Sequence, residues 1–403
     1  MSEAAADAAS VGPLAGLTVI DMSQMLAAPL SAMMLADFGA TVIKVEPPEG
    51  DSSRRAGWHI DGTSAWFRLF GRNKHSITLD LKKPKAREIM LRLLDKADVL
   101  IENMRPGKLE QLGLAPATLH ERNAGLVILR VTGWGQSGPY RDRPAFGTQA
   151  EAMSGFAYAN GYPDGPPTLP TIPLADLVSG YLGAYGVMTA LWQRQSSGRG
   201  QVVDLSLFES LFGFLGPQAA VFDRLGIVYE REGNRSPVSV PRGIYRTRDD
   251  RWVAISCATE PVVQRAFTAM GRPELFEDPR YSTRAARRER IDEVDALMQE
   301  WIGRHDLADV MEKFTAADAT VAPVNTVREV LQDPHAIARQ MVVDAPADDT
   351  TPVKMHNVFP RLSETPGRVR WSGRTLGADN EDVLGRIGIS AEELEKLRRD
   401  GAI

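Results

Sequence analysis

Apolar positions in the first half of the chain come in short runs closed by glycine or proline, separated by longer stretches with helical spacing. "GLTVIDMS" (16–23), "APLSAMMLADFGA" (28–40) and "TVIKVEPP" (41–48) predict strand, helix and strand, a βαβ unit. "HSITLDLKKPKAREIMLRLLDKADVLIENMRPG" (75–107) predicts a strand, a charged amphipathic helix and another strand, and "GLVILRVTGWGQSGPYRDRP" (125–144) continues the series. Parallel strands with crossover helices account for this pattern most simply. "TIPLADLVSG" (171–180) opens an uncharged helix in which Gly180, Gly183 and Gly186 recur every three residues. That stripe predicts a buried helix approached closely by another backbone. "RQSSGRGQVVDLSLFESLFGFL" (194–215) adds a strand and an apolar helix.

The pattern changes at 225–245, where "YEREGNRSPVSVPRGIYRTRDD" is polar and punctuated by proline and glycine. "RWVAISCAT" and a charged helical stretch (283–314) then predict a smaller α+β domain. The expected division is 1–224 for a large α/β domain, 225–325 for the small one, and 326–403 for a return to the first.

The length of 403 residues suits two or three domains, and the net charge of −5 excludes the basic excess of a non-specific nucleic-acid binder. "MSEAAADAASVG" lacks the basic start and apolar run of a signal peptide, and no stretch of about 18 uninterrupted apolar residues follows. The expectation is a cytoplasmic protein with a frayed start and no membrane or nucleic-acid partner. Cys257, the single cysteine, excludes an intrachain disulfide or a CxxC pair, and its setting predicts a packed thiol. Six scattered histidines (59, 75, 120, 305, 335, 356) show no metal-ligand spacing, so no metal is expected. Glu46 ends the second strand where a ribose-binding acid would lie, but the first turn has no G-x-G-x-x-G, which disfavours NAD. A P-loop, a G-x-S-x-G elbow and kinase signatures are also missing.

Two features remain as candidate chemistry. Asp176 heads the glycine-striped helix, either as a cap bonded to an orphan N–H or as an ionised nucleophile favoured by the helix end. Basic residues cluster near strand ends (Arg54, Arg55, Arg72, Lys74, Lys82, Lys83, Arg105, Arg141, Arg143), where an open α/β sheet binds phosphate-rich ligands.

Six blocks, in order, resemble the class III CoA-transferase family, which includes formyl-CoA and carnitine CoA-transferases. They are residues 16–51, "NKHSITLDLK" (73–82), "ADVLIENMRPG" (97–107), "GWGQSGPYRDRP" (133–144), "ADLVSG" (175–180) and "GRGQVVDLSLFE" (198–209). The resemblance implies an α/β fold with a large Rossmann-like domain, a small α+β domain, and an interlocked, ring-like homodimer. It places Asp176 on the family nucleophile. Leu79, Lys82, Asn103, Met104, Arg105 and the segment Arg143 to Phe146 match positions that hold coenzyme A, with Lys82 and Arg105 favoured for phosphates. Acyl-CoA and a small carboxylic acid are then the substrates, with no tightly bound cofactor.

A carboxylate nucleophile suits such chemistry, because a mixed anhydride conserves the transfer potential that a serine ester would dissipate. Phe146 and Gly147 stand where related 2-methylacyl-CoA racemases carry a His-Asp pair, and neither can exchange protons. Gly147 also departs from transferases that have an acid there, leaving Gln149 or Glu151 to substitute. A non-catalytic CoA-binding scaffold is the remaining rival. "GTQAEAMSGFAYANGYPDGPPTLP" (147–170) resembles members acting on mesaconate, citramalate or succinate, with Arg242 or Arg235 available for a second carboxylate. The loop Asn234–Gly243 is expected either to shelter the intermediates or to serve as a linker.

Overall fold

The structure is a computed structural model that describes residues 12–403; the frayed start expected at 1–11 lies outside the described residues. The chain divides into two units. The first comprises residues up to Ala157, Leu169–Ile227 and Ala338–Ile403; the second comprises Tyr158–Thr168 and Val228–Ile337.

The first unit is built on six strands: β1 (Thr18–Asp21), β2 (Thr41–Glu46), β3 (Lys74–Thr78), β4 (Val99–Glu102), β5 (Val127–Thr132) and β6 (Val202–Ser206). They pair in the order β3-β2-β1-β4-β5-β6, all parallel. That is the strand order of doubly wound dinucleotide-type sheets, in which the chain reverses direction between β1 and β4 and leaves a crevice at their carboxyl ends. The inner strands are apolar because helices cover both faces, and Val19, Ile20, Val99, Leu100, Val127 and Ile128 are fully buried.

The site depends on five helices: α1 (Ala27–Asp37), α2 (Pro84–Leu94), α3 (Gly147–Met153), α4 (Leu174–Ser197) and α5 (Leu207–Gly213). The glycine stripe acts as its spacing predicts. A side chain at Gly180 would run into Leu30 and the Ala27 carbonyl, and one at Gly183 into Ser31 and Leu129. This close approach lets the Ser31 hydroxyl donate to the Gly180 carbonyl at 2.8 Å, locking α1 to α4. By length and composition α4 would also span a membrane, but half of its most apolar window is buried within the fold, as in a core helix.

The C-terminal segment protects the β3 edge. Asp379 and Asn380 accept the Ser76 and Thr78 N–H groups at 2.8 and 2.9 Å, taking donors that a bare edge would offer to another strand. Val383, Leu384, Leu394 and Leu397 bury themselves in the same core as α2.

The second unit carries a three-stranded antiparallel sheet, β9-β8-β7, formed by β7 (Arg242–Arg246), β8 (Trp252–Ser256) and β9 (Val321–Pro323). Helices α6 (Glu260–Ala269), α7 (Ile291–Ile302) and α8 (Leu307–Ala316) supply its core. Val294, Met298 and Ile302, spaced by four, put one face of α7 into it. Tyr158–Thr168, which the sequence pattern leaves within the first domain, belongs here. The Tyr158 hydroxyl donates to Glu230 at 2.8 Å and the Gly233 N–H to the Gly161 carbonyl at 2.8 Å. Rejoining of the first unit begins at Ala338, later than the expected 326.

Candidate active site

Asp176 is in the first turn of α4 rather than at its cap. The cap position is Pro173, which has no side-chain acceptor, and the Ala175 N–H instead donates to Glu151 Oε1 at 3.2 Å. The capping explanation for Asp176 is therefore displaced: Glu151, on α3, serves that helix end. No other described residue donates a hydrogen bond to the Asp176 carboxylate, which receives only its own backbone N–H. Burial, and then the nearby Glu151 carboxylate, push its pKa up to about 6, outweighing the stabilisation expected from the helix end. It is still mostly ionised near neutral pH.

The carboxylate opens into a cleft of about 500 Å³ at the carboxyl ends of β1, β4 and β5, lined by Gln24, Asn103, Arg105, Thr132 and Phe146 among others. A second cavity of about 430 Å³ is lined by Leu79, Asp80, Lys82 and Pro47 among others. Met22, Gln24, Met104 and Lys108 line both, so the two form one trough from Lys82 to Asp176, across the point where the strand order reverses.

Most of the candidate ligand-binding residues meet along this trough. Leu79 and Lys82 lie at its outer end, Met104 at its waist, and Asn103, Arg105 and Phe146 at its inner end with Asp176. Asn103 is committed to shaping it: its amide accepts the Gln24 N–H at 2.9 Å and donates to the Gln24 carbonyl at 2.7 Å. Arg143 lines neither cavity; its guanidinium sits 3.8 Å from the centre of the Tyr140 ring. Lys108, which sequence reasoning missed, is exposed where both cavities meet, three residues after Arg105. The visible signal is Gly107, whose φ of 85° turns the chain into the short helix that carries Lys108.

Several other basic residues are corrected by the structure. Arg54 forks onto Glu46 at 2.6 and 2.7 Å, Arg72 onto Asp37 at 2.6 and 3.0 Å, and Lys74 meets Asp21 at 2.8 Å. These are internal ion pairs, not phosphate ligands, and Glu46 is likewise unavailable to a ribose. Burial alone would push Asp21 up, but Lys74 and Lys44 hold it below the usual carboxylate range. The pair shapes the wall beside Asp176: Lys44 also donates to the Ser23 carbonyl and bridges to Asp51, which accepts the Met25 N–H.

In the second unit, Arg235 is engaged by Asp292 and Asp295, and Arg242 donates to the Asn234 and Arg235 carbonyls. Arg235 is thus tied to α7 and Arg242 to the carbonyls of its own loop. Cys257 is buried, and burial pushes its thiol up to about 12, which suits a packed rather than a reactive group. Gln149 accepts the Phe146 N–H at 2.8 Å and caps its own helix, so of the two acids or amides considered as substitutes at Gly147 only Glu151 reaches the helix of Asp176.

A doubly wound sheet with a cation-lined trough at its switch point and a half-buried carboxylate at the inner end has a layout that suits a long, phosphate-bearing ligand. Residues 14–380 match the model of CoA-transferase family III, and the chain belongs to that family. It is 39% identical over 389 residues to the succinyl-CoA–D-citramalate CoA-transferase of Chloroflexus aurantiacus, covering 96% of this chain and 97% of that protein. It is 40% identical over 392 residues to the succinyl-CoA–L-malate CoA-transferase alpha subunit of the same organism, covering 96% and 91%. A CAIB/BAIF family protein from Brucella suis superposes with a TM-score of 0.83 at 30% identity, covering 94% of this chain and all of that one.

Proposed function

We propose that this enzyme moves CoA reversibly from an acyl-CoA thioester to a small dicarboxylic acid, with Asp176 as covalent nucleophile. The observation that carries this reading is Asp176 at the inner end of the trough, with no hydrogen bond from any other described residue. The citramalate- and malate-acting relatives support the substrate class.

In the proposed cycle the Asp176 carboxylate adds to the donor thioester carbonyl, and the C–S bond breaks to release CoA thiolate and leave an acyl-aspartyl anhydride. The thiolate then attacks the aspartyl carbonyl, forming an aspartyl-CoA thioester and freeing the donor acid. The acceptor carboxylate attacks this thioester, the thiolate leaves again, and its return to the acyl carbonyl yields product and restores Asp176. No proton is gained or lost over the cycle, which is consistent with a single carboxylate facing the cleft.

Lys82 and Arg105 are assigned to the phosphates, with Lys108 beside them, and Leu79, Met104 and Asn103 to the walls along the ligand. Phe146 covers the thioester end, while Arg143 acts at most through its stack on Tyr140. The racemase alternative lacks a second proton-exchanging group at Phe146 or Gly147.

A homodimer, interlocked as the family resemblance implies, is part of the proposal. The outward face of α4 carries Tyr185, Met188 and Trp192 at helical spacing, and Trp192 is 74% exposed, an apolar surface that suits a second copy. A cytoplasmic location is consistent with the unpaired Cys257 and with α4 serving as a core helix.

Asp176→Ala tests the reading. CoA binding measured by calorimetry should be retained while succinyl-CoA-dependent exchange falls by at least about a thousandfold. Unchanged exchange would remove Asp176 from the mechanism, and an inactive wild-type chain that still binds CoA would favour the scaffold.

A further inference from the structure

Glu151 is an acidic side chain only 3% exposed, and its bond partner is the backbone of the nucleophile's helix. Helix α3 reaches the first turn of α4 at two points one turn apart. At Gly147 the bare Cα lies against the Asp176 carboxylate, and at Glu151 a carboxylate oxygen accepts the Ala175 N–H. Spacing by four puts both on one face of α3.

We propose that Glu151 is a positioning residue for the transfer reaction, anchoring the first turn of α4 so that Asp176 is presented to the trough. The bond fixes the backbone one residue before Asp176, while the nearby like charge disfavours ionisation of the Asp176 carboxyl. Gly147 supplies the room in which that carboxylate rests. This inference deepens the nucleophile assignment and rests on it.

The other charged groups on the elements around α4 have separate partners or face solvent. Asp37 is held by Arg72, Arg130 by Glu102 and Glu110, Asp204 accepts the Gln136 N–H, and Glu209 is exposed. On the cleft side Arg105 and Lys108 share the cavity with Asp176. Glu151 is therefore the acid whose removal isolates the effect.

The test compares Glu151→Gln and Glu151→Ala in the full chain with succinyl-CoA as donor and D-citramalate or L-malate as acceptor. Glu151→Gln keeps an acceptor for the Ala175 N–H but loses the charge. It should retain kcat at pH 8 within about threefold, while the acid limb of the kcat/KM profile moves to lower pH by about one unit. Glu151→Ala loses both features, and its kcat should fall by about ten- to a hundredfold with KM for succinyl-CoA little changed, the glutamine variant restoring the rate. Equal kcat in Glu151→Ala and wild type, or an acid limb unmoved in Glu151→Gln, would overturn the proposal. Labelling of the Asp176 peptide in the wild-type enzyme is scored separately: if it fails, the nucleophile assignment falls rather than the role of Glu151.

Discussion

The carboxylate of Asp176 lies against the Cα of Gly147, in the space where any side chain at that position would begin. The absence of a side chain at 147 is thus tied to the resting place of the Asp176 carboxylate. Gly147→Ala should drive the carboxylate from that seat and lower kcat by about tenfold or more, while CoA binding changes little. Steady-state kinetics beside a calorimetric binding isotherm check this, and an unchanged kcat would show that the seat is unimportant.

Asp176 also makes stability depend on pH. Its folded-state pKa is raised from 3.8 to about 6, chiefly by burial and then by Glu151, so the native state holds this proton more tightly than the unfolded chain. The associated stability is present below pH 4 and lost as pH rises through 6. At about 1.4 kcal/mol per unit, ionising Asp176 costs the fold about 3 kcal/mol by pH 8. Asp176→Asn should recover much of this at pH 8 and little at pH 4, in urea titrations at both values. Equal gains at both would assign the effect to something other than ionisation.

The buried ion pair between Asp21 and Lys74 supports the wall of the cleft through Ser23 and Lys44. Asp21→Asn leaves Lys74 buried without its counter-charge, and should cost about 3 to 5 kcal/mol of stability. The double variant Asp21→Asn with Lys74→Met should be less destabilised than Asp21→Asn alone. Denaturant midpoints decide it.

Trough cations are separable from the one that stands aside. Lys82→Ala and Arg105→Ala should each raise KM for acyl-CoA several-fold, more strongly at low ionic strength. Arg143→Ala, which removes a stack on Tyr140, should affect KM less. A reversed ranking would place the phosphates outside the trough.

These particulars also show what a sequence can disclose. The βαβ unit of 16–48 was legible because its strands are buried on both faces and its stops are glycine and proline. The α1–α4 contact was legible because Gly180 and Gly183 have no other use in a helix interior. Charge without its partner misled. Arg54, Arg72 and Lys74 read as candidate phosphate ligands near strand ends, yet their acids lie 8, 35 and 53 residues away in the chain. Tyr158–Thr168 joins the second unit through Glu230 and Gly233, a pairing that leaves no local periodicity. Asp176 stands out in the sequence, but its environment does not: the acid that accepts from its helix end is Glu151, 24 residues before Ala175 on another element.

The covalent role of Asp176 is tested most directly by peptide mass spectrometry of the protein incubated with succinyl-CoA, with hydroxylamine and borohydride trapping in parallel. The expected result is a donor-dependent CoA or acyl adduct on the Asp176 peptide, missing from Asp176→Ala and discharged by an acceptor dicarboxylate. A peptide that remains unmodified while the enzyme turns over, or an adduct that maps to another residue, would contradict it.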